Sequence, residues 1–145
     1  MPMVKDILKI KGSQIHTISK GATALDAAEK MNDSRIGALV VVDDGHVQGI
    51  FTERDVLRRV VARHLDPSQV YVEAVMTKEV VCCQADTKVT EAQGVFKNRK
   101  IRHLPVLDED DRIIGLISIG DLNAYQTSEQ ETTIRFLHEY LYGAG

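Results

Sequence analysis

Two rhythms of apolar residues alternate along the chain, and each appears twice. Short apolar runs around residues 15–19 and 80–84 read as strands. After each, apolar positions recur at three and four: Leu25, Ala28 and Met31 in the first stretch, and Val89, Ala92, Val95 and Phe96 in the second. That spacing gathers side chains on one face of a helix. Thr23 and Thr87 stand where N-terminal caps are wanted. A Val-rich run then meets a turn, Asp43-Asp44-Gly45 or Asp108-Glu109-Asp110-Asp111, and a second apolar run follows at hairpin distance. That run ends at Thr52 or Ser118, where helical spacing resumes at once.

The two passages are copies of one unit. Residues 37–57 lie over 102–122 with one extra residue in the second hairpin, so Asp43 matches Asp108 and Gly49 matches Gly115. The match also runs backwards, through Thr17 with Cys82, Ala27 with Ala92, Met31 with Phe96 and Ile36 with Ile101. Val4-Lys5-Asp6-Ile7-Leu8 resembles Val72-Glu73-Ala74-Val75-Met76, a short lead-in before each copy. Strands alternating with helices predict an α/β (α+β) class with two β-α-β-β-α repeats, residues 1–68 and 69–125, each covering a small sheet with helices. Neither copy has much core of its own, so packing about a pseudo-twofold axis is expected. In the tail, 126–145, Ile134, Leu137 and Leu141 fall at helical spacing, which predicts a C-terminal helix against the body or a second subunit.

Composition narrows the class. With 145 residues, 43% apolar and 27% charged, the chain needs no metal or disulfide to fold. Cys82 and Cys83 are adjacent, a spacing that disfavours pairing with each other and fits a reducing compartment. The longest wholly apolar run is 38–42, far short of the roughly 20 residues of a spanning helix, so a soluble cytoplasmic protein without a membrane role is expected. The net charge of −3, with both signs mixed along the chain, argues against a nucleic-acid surface.

The segment after each hairpin carries the chemistry: Gly49-Ile50-Phe51-Thr52-Glu53-Arg54-Asp55 and Gly115-Leu116-Ile117-Ser118-Ile119-Gly120-Asp121. A hydroxyl sits at a strand-to-helix junction and an aspartate follows one turn later. Unpaired N–H groups at a helix start suit a phosphate, and an aspartate beside them can accept both hydroxyls of a ribose. The same pattern is a capping box with Asp in place of Glu, and such boxes begin many helices that bind nothing.

The repeated G-φ-φ-[ST]-x-x-D pattern, the Arg102-His103-Leu104-Pro105-Val106 strand, the Val75-Met76-Thr77 lead-in and the Asp-rich hairpins together resemble a tandem pair of cystathionine-β-synthase (CBS) domains, the Bateman module, over residues 3–124. The resemblance implies a disk-like pair with two related clefts for AMP, ADP, ATP, NAD or S-adenosylmethionine, acting as a sensor without a catalytic cofactor. It also implies that Asp55 and Asp121 take ribose hydroxyls, with Thr52 and Ser118 at the phosphate or ribose edge. Gly37, Ala38 and Leu39, and Arg102, His103 and Leu104, would flank base or phosphate, while Thr17, Ile18, Cys82 and Cys83 would lie near the base.

Because Gly37 and Ala38 align with Arg102 and His103, the Ser118–Asp121 cleft is expected to be the tighter one, with Arg54 reaching in from the other copy. No acid–base pair or triad can be assembled around either aspartate, so no enzyme activity is expected. His16, His46, His64 and His138 show no metal-like spacing, and alternation along a strand sends the two thiols to opposite faces. Arg58, Arg59, Arg63 and His64 read as a solvated helix face. The expected assembly is a homodimer that signals to an unidentified protein target. The alternative is the same fold with empty clefts, acting purely as a structural or interaction module.

Overall fold

Reciprocal bonding at Thr23 starts the first long helix. Its hydroxyl accepts the Asp26 N–H at 3.1 Å, and the Asp26 carboxylate accepts the Thr23 N–H at 3.1 Å. A computed structural model describes residues 1–12 and 14–127; most of the predicted tail helix, from residue 128 on, lies outside the described residues. The first copy runs β1 (Thr17–Ser19), α2 (Ala24–Ser34), β2 (Ala38–Asp43), β3 (His46–Thr52) and α3. Helix α3 opens at Glu53–Asp55 and widens into a π-helical stretch over Val56–Val61. The second copy runs β4 (Cys83–Gln84), α5 (Val89–Arg99), β5 (His103–Leu107), β6 (Ile113–Ser118) and a helix α6 described over 119–127. Before the copies stand α1 (Val4–Lys11) and α4 (Val72–Val75) respectively.

Each copy forms a three-stranded sheet, in the orders β1-β2-β3 and β4-β5-β6, with the first pair parallel and the hairpin antiparallel. The register shifts between Val41 and Val42 and between Val106 and Leu107, the same place in each repeat. The first hairpin turns on Asp44 and Gly45, both at positive φ (53° and 78°), the geometry that matches strand twist in a two-residue turn. In the longer second turn the Asp108 carboxylate accepts the N–H groups of Asp110 (2.8 Å) and Arg112 (3.0 Å), and Asp111 takes the left-handed conformation.

Two expectations about the helices need correction. Ala24, Ala27 and Met31 form the buried face of α2, whereas Leu25 is 37% exposed. The cap at Thr23 makes Ala24 the first helical residue, and from there the stripe continues at Ala27 and Met31. Helix α5 starts after Lys88, with no side-chain cap. Thr87 lies one residue too early, and its hydroxyl accepts the Gln84 N–H at 3.0 Å to close the turn after β4. The Val89 N–H instead donates to the Pro2 carbonyl.

The buried residues fall into two clusters, and the lead-ins are exchanged between them. Val72, Val75 and Met76 pack with Ala27, Met31, Leu39, Phe51 and Val60 of the first copy. Val4 and Ile7 pack with Val89, Ala92, Phe96, Leu104, Ile117 and Leu122 of the second. Backbone bonds follow the same exchange, from Val72 N–H to the Ala22 carbonyl and from Val4 N–H to the Thr87 carbonyl, both 2.8 Å. Division at residue 68 therefore separates the repeats in sequence but not the packing units, because each lead-in completes the other copy's core. Strand alternation turns Ala38, Val40, Ile50 and Pro105 to the opposite sheet face, where they too are buried.

Candidate functional site

Between the copies lies a cavity of about 710 Å³. One wall is the junction of β3 with α3: Thr52, Glu53, Arg54 and Asp55, continued by Arg58 and Arg59 and flanked by Gly37 and Ile50. The connection after α4 supplies Thr77, Glu79, Val80 and Val81. The second copy closes the space with Lys100, Ile101, Arg102 and His103 from the entry to β5, and with Ser118, Ile119 and Gly120 from the end of β6. Hydroxyls of both repeats therefore face one space.

Capping geometry fixes the aspartate of the first junction. Asp55 Oδ2 accepts the Thr52 N–H at 3.0 Å and the Thr52 hydroxyl at 3.2 Å, while the Asp55 N–H donates to Thr52 Oγ1 at 3.2 Å. Oδ1 is held loosely, with the Thr77 hydroxyl donating at 3.4 Å and Arg59 Nε ion-paired at 3.5 Å. Asp55 is 7% exposed and is the one charged residue in the buried set of the described residues. Arg59 donates at 2.8 Å to the Met76 carbonyl, which fixes α3 to the end of α4. Arg58 and Arg59 line the cavity as well as meeting solvent, Arg58 being exposed and Arg59 half-buried, so this part of the basic run is a solvated face that borders the cavity.

At the second junction the box repeats: Ser118 N–H donates to Asp121 Oδ2 at 2.8 Å, and Asp121 N–H to Ser118 Oγ at 3.0 Å. Here the Lys11 ammonium also meets Oδ2 at 2.7 Å and donates to the Leu116 carbonyl. Partial burial opposes ionisation of Asp121, but the Lys11 and Ser118 hydrogen bonds and the Lys11 charge hold its pKa below the usual carboxylate value. Burial pushes His103 down from the ordinary imidazole range, and the positive charges of Lys11 and Arg102 push it further, against Asp121 and Glu53.

The structure thus brings together Gly37, Thr52, Arg54, Asp55, Arg102, His103 and Ser118. Arg54 shares the cavity with Ser118, as expected of a residue reaching across copies, whereas Asp121 is not among the lining residues. Leu39 and Leu104 do not line it either, because strand alternation turns both into the helix-covered cores; Ala38 is buried in its sheet. Thr17 pairs with Val40, and Ile18 packs against the first core. Cys83 packs against the second core, where burial and the neighbouring Cys82 push its thiol up to about 12; burial and the Asp111 charge raise Cys82. Both thiols stay protonated near neutral pH.

Lys11, Lys100, Glu79, Val80 and Val81 were not singled out from sequence. Thr77 carried a signal, as the hydroxyl of the Val75-Met76-Thr77 lead-in. Among the described residues no His, Cys, Asp or Glu cluster could hold a metal ion, and no helix is long and apolar enough to cross a membrane.

The model of the family described as "CBS domain" matches residues 4–62 and 72–127, which is most of the chain and both repeats. The protein belongs to the CBS domain family. A CBS domain-containing protein of Bacillus subtilis, YhcV, is 32% identical over 130 residues, 90% of this chain and 89% of that one. Among solved structures, a CBS-domain-containing protein of Agrobacterium tumefaciens superposes with a TM-score of 0.79 at 38% identity, covering 86% of this chain and 98% of that one. The CBS domain pair of protein MJ0100, solved in complex with 5′-methylthioadenosine and S-adenosyl-L-methionine, superposes with a TM-score of 0.76 at 25% identity, covering 85% and 98%. CBS pairs are typically regulatory modules rather than catalysts.

Proposed function

We propose that the CBS pair is a regulatory sensor that binds an adenosine ligand, of the AMP, ADP, ATP or NAD kind, in the cavity between its repeats. The observation that carries this reading is the coincidence, in one space, of a capping-box aspartate with a loosely held oxygen, a helix start, several cations and apolar side chains. Asp55 Oδ1 would accept ribose hydroxyls in place of its long contacts with Thr77 and Arg59. The α3 N-terminus, Arg54, Arg58, Lys100 and Arg102 suit phosphate. Val80, Val81 and Ile101 offer apolar contact for a base. The adenosine-derived ligands of the MJ0100 pair support the same class.

Occupancy would be passed on through a protein target or through the geometry of a homodimer. Leu57, Val61 and Leu65 lie four apart and are 60%, 58% and 39% exposed, an apolar stripe that suits a protein partner. That stripe also favours a second reading, an interaction module whose clefts stay empty.

Thermal unfolding separates the two. At 100 times its dissociation constant a ligand stabilises by about 2.7 kcal/mol, on the order of 5–10 °C for a domain of this size. The sensor predicts such a rise with at least one of AMP, ADP, ATP, NAD or S-adenosylmethionine, and its loss in Asp55→Asn, which keeps a capping oxygen. No rise with any of them leaves the interaction module.

A further inference from the structure

The lead-ins, which look alike in sequence, end differently against the two hydroxyl–aspartate clamps, Thr52 with Asp55 and Ser118 with Asp121. Helix α4 has four residues and stops at Val75. The chain then runs extended, so that Thr77 exchanges both backbone bonds with Ile50 at 2.9 Å and offers only a hydroxyl, 3.4 Å away, to Asp55. Helix α1 has eight residues and continues through Lys11. Its added turn carries the Lys11 ammonium onto Asp121 Oδ2 and the Leu116 carbonyl, across the end of β6. Leu8 meanwhile packs over Gly115 as Met76 packs over Gly49, so the two lead-ins are otherwise seated alike.

We propose that Lys11 is an internal occupant of the second clamp, which confines an adenosine ligand to the Asp55 cavity and makes a protein with two clamps a protein with one site. The inference rests on the reading of the Asp55 cavity given above and extends it to the number of sites. A ribose must displace what the carboxylate already holds. Asp121 Oδ2 takes the Ser118 N–H at 2.8 Å and the Lys11 ammonium at 2.7 Å, and the ammonium's second bond to the Leu116 carbonyl keeps it beside the carboxylate, whereas the contacts of Asp55 Oδ1 are 3.4–3.5 Å long.

The helix holding Lys11 cannot withdraw without cost. Val4 and Ile7 are buried in the second core, and the N–H groups of Val4 and Lys5 donate to the carbonyls of Thr87 and Ala85 at 2.8 and 2.9 Å. The side chain itself is the movable part. It stands on the last residue of α1, partly exposed, before Gly12 at φ 97°.

Calorimetric titration of the full chain with AMP and with ATP tests this in wild type, Lys11→Met, Asp55→Asn and the double variant Lys11→Met with Asp121→Asn. The expected result is one equivalent in wild type, none in Asp55→Asn, two in Lys11→Met, and one again in the double variant. Two equivalents in wild type, or one equivalent in both wild type and a folded Lys11→Met protein, overturns the inference. So does weaker binding in Lys11→Met, which would make Lys11 a ligand for phosphate. Lys11→Gln provides the same test should the Met variant fail to fold. Binding of one equivalent by Lys11→Met but none by wild type would keep the Lys11 inference and remove the Asp55 reading; no binding to either removes both.

Discussion

Asp55 and Asp121 stand at the same position of the two repeats and perform the same local task, yet their surroundings differ. Both accept the N–H of a hydroxyl residue three positions earlier. Asp55 is enclosed, with its second oxygen touched at 3.4–3.5 Å by Thr77 and Arg59. Asp121 is more open to solvent and carries a close ammonium from a helix 110 residues away in sequence. Duplication preserves the cap because a cap is local, while the residues packed against it are free to diverge. Expecting the Ser118–Asp121 cleft to be tighter rested on Arg102 and His103, and these side chains share the cavity of the other aspartate.

The sharpest way to probe the difference is at the glycines beneath the lead-ins. A Cβ at Gly49 would meet the Thr77 carbonyl and the Met76 sulfur at 2.7 Å, whereas at Gly115 it would meet only Leu8 side-chain atoms, from 2.8 Å. Backbone cannot yield as a leucine can. Gly49→Ala should destabilise by about 2–3 kcal/mol and Gly115→Ala by about 1 kcal/mol or less, measured by urea unfolding. Equal losses would mean that the two lead-ins are equally rigid.

Next in size are the aspartates themselves. Asp55→Ala strands the partly buried Thr52 N–H and removes the Arg59 Nε contact, for about 2 kcal/mol. Asp121→Ala loses a similar cap but releases Lys11 to water, for about 1 kcal/mol. Matched denaturation curves check the order, and a larger loss at Asp121 would break the comparison.

The smallest effects lie in pH. Because the pKa of Asp121 is depressed in the folded state, its contribution is complete above the ordinary carboxylate value of 3.8 and disappears as pH falls through the depressed value. Lys11→Met should flatten that part of the acid limb. For His103 the folded state binds a proton less readily than the unfolded chain, so stability falls as pH drops below the free imidazole value of 6.5 and is level above it. His103→Gln should remove that slope; an unchanged slope would place the sensitive group elsewhere.

How much was legible in advance divides along the same line. Hydrophobic spacing, turn residues and the hydroxyl–aspartate junctions act within a few residues, so the two β-α-β-β-α units, the hairpins and both capping boxes could be read directly. Local reading erred where one residue of phase mattered, at Leu25 and Thr87, because the partner that sets the phase is the Thr23 cap in one case and the Gln84 turn in the other. The resemblance to CBS pairs implied that Leu39 and Leu104 flank a ligand, although strand alternation sends them into the cores.

By itself, then, the sequence determined the repeat, its class and the residues of the two hydroxyl–aspartate capping boxes, since these follow from periodicity and short-range hydrogen bonding. Only the tertiary structure decided that each lead-in packs in the other copy, that Lys100, Arg102 and Val80 share a cavity with Asp55, and that Lys11 lands on Asp121. Such contacts depend on which buried face finds which, and two similar amphipathic lead-ins can satisfy either core until the whole chain is packed.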